Sequence, residues 1–122
     1  MTNYQFIPRQ MTEYLKDGDY LGDIQDINYN CDTETFSLEI LLFNILSEDD
    51  EYGNPKELNG EIFVAKFHKN DVIFNNFAYE HTDNNGFLDY DEIINASIEI
   101  SVKTINDSSL SITRLTYSGK YY

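Results

Sequence analysis

Few side chains in this sequence are suited to acid–base or nucleophilic chemistry. The histidines are His68 and His81, and the single cysteine is Cys31. His68 lies between Lys66 and Lys69, a context that predicts a small basic patch rather than a catalytic pair. Cys31 lies between an asparagine and an aspartate, and a neighbouring carboxylate disfavours the reactive thiolate. No GxSxG, P-loop or GxGxxG motif occurs, and we expect a protein that is not an enzyme.

A possible metal-binding loop lies between residues 81 and 92. If Gly86 is the turn glycine at position six of a calcium loop, other ligand positions fall on Asp83, Asn85, Asp89 and Glu92. This spacing resembles an EF-hand. It departs from that pattern at position one, where His81 replaces the expected aspartate. This departure weakens the prediction of a calcium site, because a neutral imidazole is a poor ligand for a hard cation. We therefore favour an Asn-Gly turn followed by an acidic helix start, with no metal and no other cofactor.

Negative charge is the dominant property of the chain. Its 22 Asp and Glu exceed its 8 Lys and Arg, so the formal net charge is −14 on 122 residues. Residues 13–57 alone contain thirteen acids and two bases. Such a surface repels nucleic-acid backbones and anionic membranes and attracts basic protein surfaces. The alternative explanation is that the charge serves solubility alone.

The acids that could form one binding face lie along the first long predicted strand and in a later loop. The candidates are Asp17, Asp19, Asp23, Asp26, Asp32, Glu34, Glu48, Asp49, Asp50 and Glu51. Carboxylates on a rigid β-scaffold can mimic the phosphates of a duplex and occupy a basic groove. The expected partner is a basic nucleic-acid-binding protein such as a nuclease effector. For the loop run alone, a solvated loop is the simpler interpretation.

Most of these residues fall on predicted β-strands. Period-two alternation predicts strands over residues 19–29, 36–45, 61–67, 97–105 and 109–117, the last two forming a hairpin. A parity switch between Ile24 and Ile27 predicts a β-bulge, and Gly22 predicts close approach of a neighbouring backbone. The unbroken apolar end of the second strand predicts cover on both faces.

One clear helix is predicted, with two shorter candidates. The clear one extends from a cap at Asn70 to about Glu80. The shorter candidates cover residues 89–95 and 9–15. The length of the chain predicts a single domain over residues 1–122. No apolar run approaches the length of a membrane span and no signal peptide is evident, so we expect a cytoplasmic protein without membrane contact.

The order of these elements carries a resemblance to a known family. The segments GDYLGDIQDI, FSLEILLFN and GEIFVAKFH, then a helix and a hairpin ending in ITRLTY, resemble small OB-fold single-strand-binding proteins of bacteriophages and mobile elements. The resemblance covers residues 17–118. It implies a mainly β fold, with a five-stranded OB-like barrel or sandwich and one helix between strands three and four.

Two functions follow as expectations. In size, charge and composition the chain is similar to phage-encoded inhibitors of restriction or CRISPR nucleases. This similarity favours a non-enzymatic acidic protein of phage or mobile-element type that blocks a nucleic-acid-binding host defence protein by charge mimicry. The alternative is an OB-fold single-stranded-DNA-binding protein, which stacks bases on sheet aromatics. Its phosphate-contacting face would consist of Lys66, Lys69, Lys103 and Arg114.

Overall fold

Most of the chain forms β-strands, as the alternation predicts. The structure, a computed structural model, describes residues 11–12, 14–58, 60–80, 82, 88–106 and 109–117. Its strands are β1 (Met11–Thr12), β2 (Gly18–Asn30), β3 (Thr35–Asp49), β4 (Pro55–Glu57), β5 (Ile62–His68), β6 (Ser97–Asn106) and β7 (Ser109–Tyr117). Two helices, α1 (Val72–Tyr79) and α2 (Tyr90–Ile93), lie between β5 and β6. The predicted mainly β fold is therefore confirmed.

All seven strands belong to one mixed sheet. Its order is β1-β5-β3-β2-β6-β7, with β4 beside β3. The β1–β5 pair is parallel and the other pairs are antiparallel. Within the described residues β5 and β7 do not pair, so the sheet is not closed. The ring of Phe77 in α1 lies 5.9 Å from that of Tyr117, so α1 contacts the end of β7, which pairs with β6.

The prediction of five strands and one helix between the third and fourth is wrong in its details. The strands β1 and β4 were not predicted, because strands of two and three residues are too short to show alternation. With seven strands, both helices follow the fifth strand of the chain. The single seven-stranded sheet, which is not closed within the described residues, also differs from the predicted five-stranded OB-like barrel or sandwich.

Two local features of the β2–β3 pair confirm expectations from the sequence. The register shifts between Ile24 and Asp26, which is the β-bulge that the parity switch indicates. A Cβ atom built on Gly22 would lie 2.6 Å from the carbonyl oxygen of Leu41. Only glycine permits this approach without displacing the neighbouring strand.

The hydrophobic core lies on one face of the sheet, beneath α1 and α2. Alternate residues of the four long strands β2, β3, β5 and β6 supply most of it, and the largest fully buried strand residues are Tyr20, Phe63, Ile24, Leu38, Ile40, Leu42, Ile45, Ile98 and Ile100. Phe74 and Phe77 of α1 and Ile93 of α2 cover this face. The positions that alternate with these core residues point to the opposite face, here called the outer face.

The helices differ from the predictions mainly at their ends. Asp71, rather than Asn70, caps α1, because its carboxylate accepts a hydrogen bond from Phe74 N at 3.0 Å. Helix α2 lies within the predicted range of 89–95. The predicted helix near residues 9–15 is wrong for Met11–Thr12, which pair with β5. No helix in the described ranges is long and apolar enough to cross a membrane.

Candidate functional site

The structure distributes the ten candidate acids over three places. Asp19, Asp23 and Asp26 lie along β2. Asp32 and Glu34 lie in the turn between β2 and β3, whereas Asp17 and residues 48–51 lie at the opposite end of this strand pair. The 13 residues of β2 span about 40 Å at about 3.3 Å per residue. The acids therefore form a line along the β2–β3 pair rather than one compact patch.

The carboxylates along β2 are held by hydrogen bonds. Ser101 Oγ donates to Asp19 Oδ1 at 2.5 Å, and Ser97 Oγ donates to Asp23 Oδ1 at 2.7 Å. Asp26 Oδ1 accepts from Ile27 N at 2.9 Å. Because each carboxylate has a fixed partner, its charge is oriented before any ligand binds, and association would cost less side-chain entropy.

Arg114 belongs to the same network. Its Nη2 donates to Glu99 Oε1 at 2.8 Å, and its Nε donates to Ser101 Oγ at 3.4 Å. Ser101 in turn donates to Asp19. Arg114 is therefore held in a hydrogen-bond network with Glu99, Ser101 and Asp19.

The acids at the open end of the β2–β3 pair have structural partners. Glu48 forms ion pairs with Lys16 and Lys56, and the hydrogen bond from Lys16 holds the pKa of Glu48 below its usual value. Hydrogen bonds from Thr104 lower the pKa of Asp17. Asp50 Oδ1 accepts from the backbone nitrogens of the residues two and four positions later, at 2.8 and 3.0 Å. Asp50 thus shapes the turn that carries the acidic run.

The turn between β2 and β3 is partly neutralised. Lys69 forms an ion pair with Glu34. Their hydrogen bond lowers the pKa of Glu34 and raises that of Lys69. Asp32 N donates to Asn30 Oδ1 at 2.8 Å, which helps to hold the turn. Cys31, also in this turn, is exposed.

An apolar cluster on the outer face of the sheet was not found from the sequence. It consists of Leu21 on β2, Leu41 and Phe43 on β3, and Ile62 and Val64 on β5. Phe43 is 38% exposed and the other four are half-buried. The prediction that β3 is covered on both faces is wrong, because these residues do not belong to the buried core. The signal in the sequence was the run of residues 41–43, which interrupts the alternation.

The four candidate cations lie on or beside three strands, β5, β6 and β7. Lys69 and Arg114 are ion-paired with Glu34 and Glu99. Lys103 is paired in register with Ser111 of β7, and Lys66 lies on β5. A groove of about 280 Å³ separates β5 from β7. Its lining residues are Phe63, Val64, Lys66, Phe67, Asp71, Leu110, Ser111 and Ile112.

A row of aromatic rings leads from the surface into the core near the β2–β3 turn. Tyr29, which is 38% exposed, lies 4.6 Å from Phe36 between ring centroids. Phe36 stacks on Phe74 at 4.7 Å, and Phe74 on Phe67 at 5.3 Å. Tyr29 is the most exposed of the four rings, whereas Phe36 is half-buried and the other two are buried, so Tyr29 is the ring most open to a ligand.

Most of the candidate calcium loop, including His81, Asp83 and Asn85, lies outside the described residues. Asp89 accepts a hydrogen bond from Glu92 N at 3.1 Å and caps α2. Among the residues that the structure describes, no group of three or more His, Cys, Asp or Glu is arranged to hold a metal ion. Asp89 therefore has a structural role as a helix cap.

Comparison with known proteins identifies no relative of this chain. No family model matches the sequence, and neither the curated proteins nor the solved structures contain a significant match.

Proposed function

We propose that this chain is a non-enzymatic acidic protein of phage or mobile-element type that binds a basic nucleic-acid-binding protein by charge mimicry. A restriction or CRISPR nuclease would be such a partner. The observation that carries the proposal is the row of oriented carboxylates on β2, formed by Asp19, Asp23 and Asp26. It places negative charge on a rigid sheet rather than on flexible side chains of a loop.

The basic residues support the same proposal. Lys16, Lys56, Lys69 and Arg114 all form ion pairs with glutamates of this chain. Their charge is compensated locally, so it does little to offset the field of the remaining acids. Long-range attraction between opposite charges then accelerates the encounter with a basic partner, and added salt weakens this attraction.

The test compares two variants that each lose two negative charges. Asp23→Asn with Asp26→Asn neutralises two of the three carboxylates of the row on β2, whereas Glu80→Gln with Asp91→Asn neutralises exposed acids on the helical side. A purified restriction or CRISPR nuclease is mixed with each protein, and cleavage of its DNA substrate is measured. We expect the wild type and the helical-side variant to protect the DNA and the β2 variant to protect it poorly. Equal protection by both variants would contradict a role for the β2 row.

A second candidate is binding of single-stranded DNA. It is favoured by the order of the five longest strands, β5-β3-β2-β6-β7, which leaves β5 and β7 facing each other across a groove. The OB-fold is a partly open five-stranded barrel. The exposed ring of Tyr29 offers one surface for base stacking.

Fluorescence anisotropy with labelled oligo-dT separates the two candidates. A charge mimic carrying −14 should not bind the oligonucleotide at low salt, where repulsion is least screened. A single-strand-binding protein should bind at low salt, lose affinity as salt rises, and lose it again on Lys66→Glu or Lys103→Glu. Micromolar binding with this salt dependence would replace charge mimicry by the second candidate.

A further inference from the structure

We infer that the outer face of β2, β3 and β5 is the docking surface of the proposed partner, and that it binds a segment carrying both apolar and basic side chains. The inference rests on the proposed function and adds the chemistry of the bound segment. It depends on the apolar cluster (Leu21, Leu41, Phe43, Ile62 and Val64) and on the acids that surround it.

The strand register places the apolar side chains together. Leu41 pairs with Ile62 of β5, and both side chains lie on the outer face. The next pair, Ile40 and Phe63, points to the core, so Val64, one position further along β5, lies on the outer face again. Across β2, Leu21 pairs with Asn44, beside the bulged Phe43. A contiguous apolar centre on a folded surface is typical of a protein-binding site.

The same register places carboxylates around this centre. Asp23 is the β2 neighbour of Leu41, and Glu39 is the β3 neighbour of Val64. Glu99 of β6 pairs with Leu21 on the opposite side, but Arg114 already neutralises it. Within the described residues, the rim charges without an ion pair are therefore Asp23, Asp26 and Glu39. An apolar centre with an acidic rim complements a segment whose apolar residues are flanked by lysine or arginine.

Asp26 and Glu39 lie directly opposite each other on the outer face. Like charges in such a cross-strand pair destabilise a sheet. A cation from a partner that approaches both carboxylates would relieve this repulsion. The pair is therefore a feature that costs stability in the free protein and favours a basic ligand.

The charge pattern also discriminates against other occupants. A second copy of this chain docked face to face would bring Asp23, Asp26 and Glu39 towards the same acids of its partner. A nucleic-acid backbone or an anionic membrane would be repelled by the same rim. A basic segment with apolar side chains satisfies both the centre and the rim.

The experiment uses two defined peptides as probes. One is a short amphipathic helix built from leucine and lysine, and the other has the same lysines with every leucine replaced by serine. We expect the leucine–lysine peptide to bind about tenfold or more tightly than the serine–lysine peptide, because apolar burial adds to the charge attraction. In ¹H–¹⁵N correlation spectra the leucine–lysine peptide should shift amide signals of β2, β3 and β5.

Matched variants locate the binding surface. Leu41→Thr with Phe43→Thr removes apolar area from the outer face, whereas Val72→Thr with Tyr79→Thr removes it from the exposed side of α1, where these two residues are 71% and 82% exposed. We expect the first variant to lose the preference for the leucine–lysine peptide and the second to keep it. Circular dichroism checks that each variant is folded. If the first variant does not fold, Asp23→Asn with Glu39→Gln serves instead and should weaken binding of both peptides.

Each possible result decides between the inference and the proposed function. Equal affinity for the two peptides would overturn the inference and leave charge mimicry standing. Failure of both peptides to bind at low salt would overturn the inference and contradict the proposed function. A leucine preference that survives every outer-face variant, or self-association of the free protein through this face in sedimentation experiments, would overturn the inference alone.

Discussion

The outer face of the β2–β3–β5 sheet and residues 48–54, which form the end of β3 and the turn after it, are both acidic, but their acids have different surroundings. On the outer face, Asp23 and Glu39 lie next to partly exposed apolar side chains. In residues 48–54, Glu48 of β3 is paired with two lysines and Asp50 accepts hydrogen bonds from its own turn. The densest run of charge in the sequence is thus partly engaged in local structure.

The comparison shows that charge density along a sequence does not indicate which acids have partners within the fold. The four consecutive acids need no binding protein, because Asp49 and Glu51 are exposed and Glu48 and Asp50 have partners within the chain. On a sheet, carboxylates beside apolar groups lose some solvation and repel like charges on the next strand. Acids that persist in the less favourable place are better candidates for function.

The largest difference in stability between the two regions should come from substituting one glycine in each of them. Gly22→Ala places a Cβ atom 2.6 Å from the Leu41 carbonyl oxygen beneath the outer face, and we expect a loss of about 2–3 kcal/mol of unfolding free energy. Gly53→Ala meets no neighbouring atom but adopts φ of +82° in the loop, and we expect a loss of about 1 kcal/mol. Urea unfolding measures both values.

These two variants also separate the regions functionally. Gly22→Ala should weaken binding of the leucine–lysine peptide, because the outer face depends on the β2–β3 register. Gly53→Ala should leave that binding unchanged. A Gly22→Ala protein as stable as the wild type would mean that β2 and β3 have room to separate at Leu41.

The next largest effect is a loss of stability at high pH, caused by ionisation of Tyr20 at the end of the sheet next to residues 48–54. Burial, with smaller contributions from the charges of Glu48, Glu61 and Asp17, raises the pKa of Tyr20 to about 12. An unfolded tyrosine ionises near pH 10. The stabilisation from neutral Tyr20 is therefore complete below about pH 10 and is lost as the pH rises towards 12.

Comparison with Tyr20→Phe isolates this group from the other tyrosines. The Tyr20 hydroxyl donates to the Lys16 carbonyl at 2.7 Å, so the wild type should be more stable than Tyr20→Phe at pH 8 by about 1 kcal/mol. Between pH 8 and 11.5 the wild type should lose about 2 kcal/mol relative to Tyr20→Phe, so the difference in unfolding free energy should fall and reverse its sign. A difference that stays constant over this range would show that Tyr20 ionises normally.

The smallest effect should be a gain in stability. Glu39→Gln removes the like-charge pair with Asp26 on the outer face and should raise the unfolding free energy by a few tenths to about 1 kcal/mol at low salt. Glu51→Gln in the exposed loop turn should change it little. Thermal unfolding at low and high salt measures both variants, and the gain for Glu39→Gln should fall as salt screens the pair. A loss of stability would refute the view that the rim acids repel each other.

Much of the fold follows from local pattern. The alternation that predicts the strands reflects one buried face, and the change of parity between Ile24 and Ile27 located the bulge in β2. The spacing of Ile73 and Phe77, four residues apart with Phe74 beside them, predicted α1, and in the structure Phe74 and Phe77 are buried. Each of these signals depends on neighbours within a few positions, which the sequence displays directly.

The sequence by itself determined a mainly β chain with strong negative charge, because alternation and net charge are properties of residue order and composition. It did not determine which acids have partners, because Ser101 and Ser97 are far from Asp19 and Asp23 in the chain and meet them only across the β2–β6 register. The exposure of the outer face of β3 also depended on the tertiary structure. Whether the run at 41–43 is covered or exposed depends on which elements pack there, and in the tertiary structure both helices lie on the opposite face.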